Sequence, residues 1–419
     1  MRHTEDSTHA TSSAVPGAGP VRWTLVPPHG SAPERAPWRP NPEQEEIAGL
    51  PAGCGPRLVL GGPGTGRTRV LVELAARRIG GGLDPDRLLV LTPSRLSAAR
   101  LRDDLTAAVS ATMSSPPVRA WQSYAFDLLR RAQNQGLLPG VAHGPKLLSG
   151  PEQDVLIGEL MAGHAAGFGA PVVWPPDLRE ALATRGFRQE VRELFDRMSE
   201  YDLAPDDLRR LARRLERPDW AAAATMQAEY QAVRRLRMPE SYDPAALVTE
   251  AARVLEEQPE FLRAEQERLD LVLVDDLHEA TPSIHRLLAV LCRGRDTVLT
   301  ACTDTVVQGF RGARPDLLRT LEDRLAEPAR PLRRHPLGTS RRMPGAVAEV
   351  WQRVAERIPA VAGARHPRAL RPAGSAPGAA DTGHGADTAT APADVAVDGT
   401  GDRAAPGEVT TVVLSSPLH

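Results

Sequence analysis

The sequence predicts an α/β protein built on a parallel, doubly wound sheet, and three observations carry that prediction. Short apolar runs alternate with stretches of helical periodicity, a glycine-rich loop follows the first run, and a later run ends in two adjacent carboxylates. Strand-length and helix-length segments in alternation are the pattern of parallel strands joined by crossover helices. At 419 residues the chain has room for two or three domains and a substantial core.

The first 38 residues are rich in Ser, Thr, Pro and Ala and lack a continuous apolar stretch, which predicts a disordered tail rather than a secretory signal. Leu58-Val59-Leu60 then reads as the first strand, and Val70 to Ile79 as a helix. Between them lies Gly61-Gly62-Pro63-Gly64-Thr65-Gly66-Arg67-Thr68. Strand, loop and helix in that order are the context a phosphate-binding loop requires. Its glycines let backbone N–H groups converge on phosphate oxygens, and the helix N-terminus adds partial positive charge. The pattern G-x-x-x-x-G-K-[ST] is complete except at Arg67, where a planar, longer fork replaces a compact ammonium. The chain holds one lysine, Lys146, and fifty arginines, so compositional drift accounts for part of the change. The competing reading is a glycine-rich turn with no ligand.

Leu88 to Leu91 reads as the second strand and Leu96 to Val109 as its helix. Val118 to Trp121 reads as a third, with Ser123 placed to cap a helix from Tyr124 to Gln133. From about Pro151 to Arg268 apolar residues recur at helical spacing and strand signals are scarce, so an inserted helical subdomain is expected. The sheet resumes with Leu269 to Val274 and with Thr297 to Thr300. Residues 361–407, dominated by Ala, Gly, Pro, Thr and Asp, read as a flexible linker, and Glu408 to Leu414 as one last strand.

Bulk properties narrow the classes. A formal charge of −2 means that nucleic-acid contact has to come from local arginine placement. Cys54, Cys292 and Cys302 have neither C-x-x-C pairing nor metal-ligand spacing and read as buried reduced thiols of a cytoplasmic protein. No apolar run approaches the roughly 20 residues of a membrane span.

The run Leu271 to Val274 ends in Asp275-Asp276. Beside a phosphate-binding loop, the first acid of such a pair holds Mg²⁺ through water and the second orients the attacking water, while Thr68 offers a hydroxyl to the metal. Alone, an apolar strand ending in two aspartates is an ordinary strand end. About 200 residues after a phosphate-binding loop, with a helical insertion between, it is a much stronger signal.

In the order of these motifs the chain resembles a superfamily 1 DNA helicase of the UvrD/Rep type, from residue 39 to about 350. Pro42-Glu43-Gln44 resembles the Q motif, in which Gln44 would read the adenine edge. Leu91-Thr92-Pro93-Ser94-Arg95, with Ala98 to Arg102, resembles motif Ia, which contacts single-stranded DNA. Ala120 to Ala125 resembles the next motif, T-x-H-S-F-A. Asp275-Asp276-Leu277-His278-Glu279 stands where the family has D-E-x-Q-D, and Ala301 to Ala313 aligns with G-D-P-D-Q-S-I-Y-G-F-R-G-A. Thr339-Ser340-Arg341-Arg342 resembles N-Y-R-S, with Arg342 the candidate for the γ-phosphate and Arg341 beside it not excluded.

The resemblance implies a RecA-like ATP-binding domain over 39–135 and 265–328, a helical insertion over 136–264, and an incomplete second RecA-like domain. That second domain would start at 329–360 and continue, after the linker, in a cut-off strand at 408–419. It implies ATP at Gln44 and Gly61 to Thr68, Mg²⁺ at Thr68 and Asp275, catalysis by Asp275, Asp276 and Arg342, and DNA contacts at Thr92, Ser94, Arg95, Phe310 and Arg311. Taken singly, Phe310 and Arg311 read as a core aromatic and a surface cation, and Arg100 and Arg102 read equally as a phosphate track or an exposed helical face. His278 reads as a polar link between the nucleotide and DNA sites.

Departures accompany the matches. Arg67 replaces lysine, and Asp276 replaces a glutamate, which shortens a general base by about an ångström; a misplacement of that size costs on the order of 10²-fold. Thr305 stands for a γ-phosphate-sensing glutamine, Gln122 for a histidine and Gln308 for a DNA-stacking tyrosine. The chain stops before the family's motifs V and VI. These details fit an actinobacterial-type branch, the AdnA-like subunit of the AdnAB helicase-nuclease, acting in repair or recombination on single-stranded or duplex-end DNA beside an AdnB-like partner, with weak activity alone. The rival readings are a non-catalytic nucleotide- or DNA-binding subunit supporting a partner motor-nuclease, and an incomplete gene product.

Overall fold

The structure is a computed structural model, described for residues 38–109, 117–138, 144–359, 367 and 370–372. Residues 1–37 of the tail expected over 1–38, nearly all of the expected linker and the expected last strand lie outside the described residues.

Asn41 opens α1 (Pro42–Ala48) with a reciprocal cap: its side chain accepts from the Gln44 N–H at 2.8 Å, and Gln44 Oε1 accepts from the Asn41 N–H at 3.2 Å. The chain continues through β1 (Pro56–Gly61), α2 (Arg67–Gly80), β2 (Leu88–Thr92), α3 (Arg95–Ala108), β3 (Val118–Ala120) and α4 (Trp121–Asn134). A second run holds β4 (Lys146–Leu147), α5 (Gly150–Ala165), α6 (Arg185–Glu200), α7 (Pro205–Arg214), α8 (Pro218–Arg237) and β5 (Ser241–Tyr242). Then come α9 (Pro244–Glu257), α10 (Pro259–Glu267), β6 (Leu271–Val274), α11 (Pro282–Cys292), β7 (Thr297–Ala301) and α12 (Leu321–Leu325). The last described elements are β8 (Arg333–Leu337), β9 (Thr339–Ser340), α13 (Gly345–Ala355) and β10 (Arg371–Pro372).

Six strands form one parallel sheet in the order β3-β2-β6-β7-β1-β8. Every residue of β1, β2, β6 and β7 is buried, as expected of strands covered on both faces by crossover helices. The predicted α/β class and parallel sheet are therefore present. The phosphate-binding loop leaves the carboxyl end of β1 and the paired acids leave that of β6, the edge at which open parallel sheets bind ligands.

Four details differ from the sequence reading. α4 starts at Trp121, directly after β3, so Ser123 lies inside its first turn and Ala120 is the uncapped N-cap residue. The buried Trp121 ring anchors that start through packing.

The segment expected to be an inserted helical subdomain divides. Leu156, Val191, Phe195, Leu208 and Tyr230 form a separate core, whereas Leu247, Val248, Ala251, Leu255 and Phe261 of α9 and α10 pack into the core under the sheet. Parallel pairing of β4 with β5 draws the two ends of the insertion together. Apolar periodicity shows that a helix has a buried face but not which core receives it.

Finally, Arg333–Leu337, expected at the start of a second domain, hydrogen-bonds to β1 as the sixth strand of the first sheet. Arg371–Pro372, inside the expected linker, pairs with β9.

Candidate nucleotide site

Gly66 ends the loop in the left-handed region at φ 89°, where glycine avoids the cost a Cβ would incur, and it begins α2 without a side-chain cap. The first-turn N–H groups of α2 have no acceptor within the helix and are left for a ligand. Behind the loop, Gln44 is fully buried, and its Nε2 donates to the Thr65 carbonyl at 2.9 Å. Its oxygen is held in the α1 cap, so in this structure Gln44 braces the loop from beneath instead of facing out toward an adenine. Thr65 adds an internal tie, its Oγ1 donating to the Gly62 carbonyl at 2.8 Å.

Arg67 does not extend freely. Its Nη1 donates to the carbonyls of Gly61 at 2.6 Å and Gly62 at 3.1 Å, and its Nη2 reaches Asp276 Oδ1 at 3.1 Å. Its Nε is buried with no hydrogen-bond acceptor. Asp276 itself sits at φ 50°, a region aspartate tolerates better than most residues, with its N–H donating to Thr300 Oγ1 at 3.1 Å.

Asp275 is buried and accepts from two hydroxyls, Thr68 Oγ1 at 2.8 Å and Thr300 Oγ1 at 2.6 Å. Burial, and next the charge of Asp276, raise its carboxyl above the usual carboxylate range, opposed by the two hydroxyl bonds and by Arg67. A hydroxyl and a carboxylate already in contact are the hard-oxygen pair a Mg²⁺ site uses, and a buried anion whose charge is disfavoured gains from a cation. With the orphaned Arg67 Nε–H beside the loop, the residues fit a metal-bound polyphosphate. Among the described residues no group of three or more His, Cys, Asp or Glu is arranged to hold a metal through protein ligands alone.

The far side of the loop is covered. Ser340 Oγ donates to the Pro63 carbonyl at 3.1 Å and the Arg341 N–H to the Gly64 carbonyl at 2.8 Å. Leu370 lies against Gly62, where a Cβ would come within 2.7 Å of its Cδ1. Both Arg341 and Arg342 are exposed at this edge.

From Asp276 a polar chain leads away from the nucleotide. The Cys302 N–H donates to His278 Nδ1 at 3.1 Å, so the neutral ring carries its proton on Nε2, which lies 3.3 Å from Thr305 Oγ1. Glu279 accepts the Val307 and Gln308 N–H groups on its two oxygens, at 2.9 and 2.8 Å. The loop it holds carries Phe310, 74% exposed, with the Arg311 guanidinium 5.3 Å from the ring centroid.

Of the other expected DNA contacts, Ser94 and Arg95 are exposed at the start of α3. Thr92 is fully buried with its Oγ1 donating to the Ser94 carbonyl at 3.1 Å, so it shapes the loop without presenting a side chain. Sequence reasoning passed over Thr300, Glu279 and Ser340. Only the placement of β7 beside β6 marks Thr300. The fifth position of Asp275 to Glu279 was visible in the sequence but its task was not.

A parallel sheet with a glycine-rich loop after β1 and paired acids after β6 is the fold of the P-loop, RecA-like class. Residues 40–326 match the UvrD/REP helicase N-terminal domain family, and the chain belongs to that family. It is also 33% identical over 100 residues to an ATP-dependent helicase/nuclease subunit of Heliobacterium modesticaldum. That stretch covers 24% of this chain and 7% of the relative's length. Among the described residues no helix is long and apolar enough to cross a membrane.

Proposed function

We propose that the chain is the ATP-binding motor portion of a UvrD/Rep-like DNA helicase or translocase that works in DNA repair or recombination. Mg²⁺-ATP would bind with Arg67 on the outer phosphates and Thr68 and Asp275 on the metal, with Asp276 beside the attacking water and Arg342 or Arg341 approaching the γ-phosphate. The observation that supports this most is the Thr68–Asp275 contact of 2.8 Å below the loop, joined through Asp276 to Arg67. Mg²⁺, once bound, would supply charge neutralisation of the phosphates. The chain's own residues orient it: Thr300 fixes one oxygen of Asp275 and leaves the other to share with Thr68. Single-stranded DNA would lie along Ser94, Arg95, Phe310 and Arg311.

We place the chain in an AdnA-like branch, partnered by a second helicase-nuclease chain and working in the cytoplasm. The Heliobacterium relative is by name one of the subunits of a helicase/nuclease, which supports a partner. The domain reading that goes with this is a RecA-like motor carrying a helical insertion. Purified chain with and without single-stranded DNA tests the reading: weak ATP turnover that DNA raises is expected, and turnover indifferent to DNA contradicts it.

One observation favours a second reading, a nucleotide-holding subunit with little hydrolysis of its own. Arg67 is already engaged by two loop carbonyls and Asp276, so phosphate has to compete for it. Nucleotide binding without turnover, in the same experiment, selects this reading.

A further inference from the structure

The loop after β7 does more than carry Phe310, because its end is pressed against the helical insertion. Gly312 stands at φ 86°, and a Cβ there would overlap the Arg197 guanidinium and lie 2.5 Å from Glu200 Oε2. Arg197 and Glu200, one turn apart at the end of α6, pair at 2.8 Å, and Glu200 is buried. Two residues further on, the Arg314 guanidinium bonds the Tyr201 hydroxyl and lies 5.6 Å from that ring's centroid, while its other nitrogens grip Asp316 at 2.7 Å. The Arg314 N–H donates to the Ala280 carbonyl at 2.9 Å.

The same loop is therefore tied to the segment that follows the acid strand at both ends, through His278 and Glu279 at its start and through Ala280 at Arg314, and this second end also bears on the last turn of α6. That turn is a stiff element: the Tyr201, Asp202 and Leu203 N–H groups donate to the carbonyls of Arg197, Ser199 and Met198. Asp202 ion-pairs with Arg286 of α11 at 2.7 Å.

We propose that Gly312 is the joint through which the nucleotide site moves the helical insertion, with Arg197 and Glu200 as the bearing surface on α6. Such a joint presupposes the nucleotide reading given above. A polyphosphate competes with Asp276 for Arg67, and an Asp276 side chain released from that contact can move against His278, 4.0 Å away, and through it against Thr305 and the loop. Because Gly312 has no side chain, loop and guanidinium are in direct contact, and displacement of one is displacement of the other. The insertion thereby becomes a body whose position reports nucleotide occupancy.

Hydrogen exchange of the Tyr201–Leu203 amides, with and without a non-hydrolysable ATP analogue, tests this beside a fluorescent-nucleotide titration. In the unaltered chain the analogue is expected to change exchange at these amides at least threefold. Arg197→Ala is expected to abolish that change while nucleotide affinity stays within about twofold. Gly312→Ala is expected to do the same. If Gly312→Ala fails to fold, Arg197→Ala alone decides. Nucleotide that binds without altering exchange at Tyr201–Leu203, or a full response retained in Arg197→Ala, overturns the joint and leaves the nucleotide reading standing. Failure of the titration itself overturns both.

Discussion

At the scale of single residues, two departures from the family pattern are in contact at the candidate site. Arginine reaches further than lysine and aspartate less far than glutamate, and here the two meet at 3.1 Å. This makes Arg67 and Asp276 a matched pair, so restoring only one family residue should mismatch the reach. Arg67→Lys and Asp276→Glu are each expected to lower nucleotide affinity or turnover, and the double substitution to recover most of the loss. The expected coupling is about 0.5–3 kcal/mol in a double-mutant cycle, whereas additive losses would show that the contact carries no function.

The residue scale is also where the sequence was most and least legible. That Gly61 to Thr68 joins a strand to a helix could be read directly, because its glycines permit the left-handed turns found at Gly64 and Gly66. The inward turn of Gln44 could not, since it depends on the Thr65 carbonyl lying above it.

At the scale of elements, short polar clamps set the loops between strands. Glu279 receives two N–H groups from the loop bearing Phe310, at 2.9 and 2.8 Å, on a buried carboxylate. Charge-assisted bonds of this kind are worth about 1.5–3 kcal/mol each, so Glu279→Ala should loosen the loop. Stimulation by single-stranded DNA is expected to fall at least tenfold while nucleotide affinity changes little; an unchanged response would show that the clamp is dispensable. Among helices, α9 was assigned to the insertion by periodicity, yet Leu255 lies in the core beneath the sheet. Leu255→Ala should therefore cost about 2–5 kcal/mol of stability in denaturant unfolding, and a loss below about 1 kcal/mol would contradict its place there. Helix and strand existence was legible from pattern; the partner of each helix was decided by packing that no local pattern encodes.

At the scale of the whole molecule, one buried group makes a contribution of definite sign to the pH dependence of stability. His285 of α11 is buried with neither ring nitrogen hydrogen-bonded, and burial, helped by Arg324, lowers its pKa to about 3. The unfolded chain takes up this proton near the ordinary 6.5, and the folded one only near 3. Between those values the unfolded state binds more protons, so stability falls as pH falls through the window, by up to about 1.4 kcal/mol per pH unit, and is unaffected above it. His285→Leu should remove that slope, raising the unfolding midpoint more at about pH 5 than at about pH 8. Equal shifts at both pH values would contradict the assignment.

Everything proposed for the whole chain depends on a Mg²⁺-dependent nucleotide site, and titration with a fluorescent ATP analogue, with and without Mg²⁺, tests it most directly. Saturable binding tightened by Mg²⁺ is predicted, weakened at least tenfold by Arg67→Ala and made indifferent to Mg²⁺ by Thr68→Ala. Absence of binding, or binding that neither the metal nor these two substitutions alter, would contradict that site.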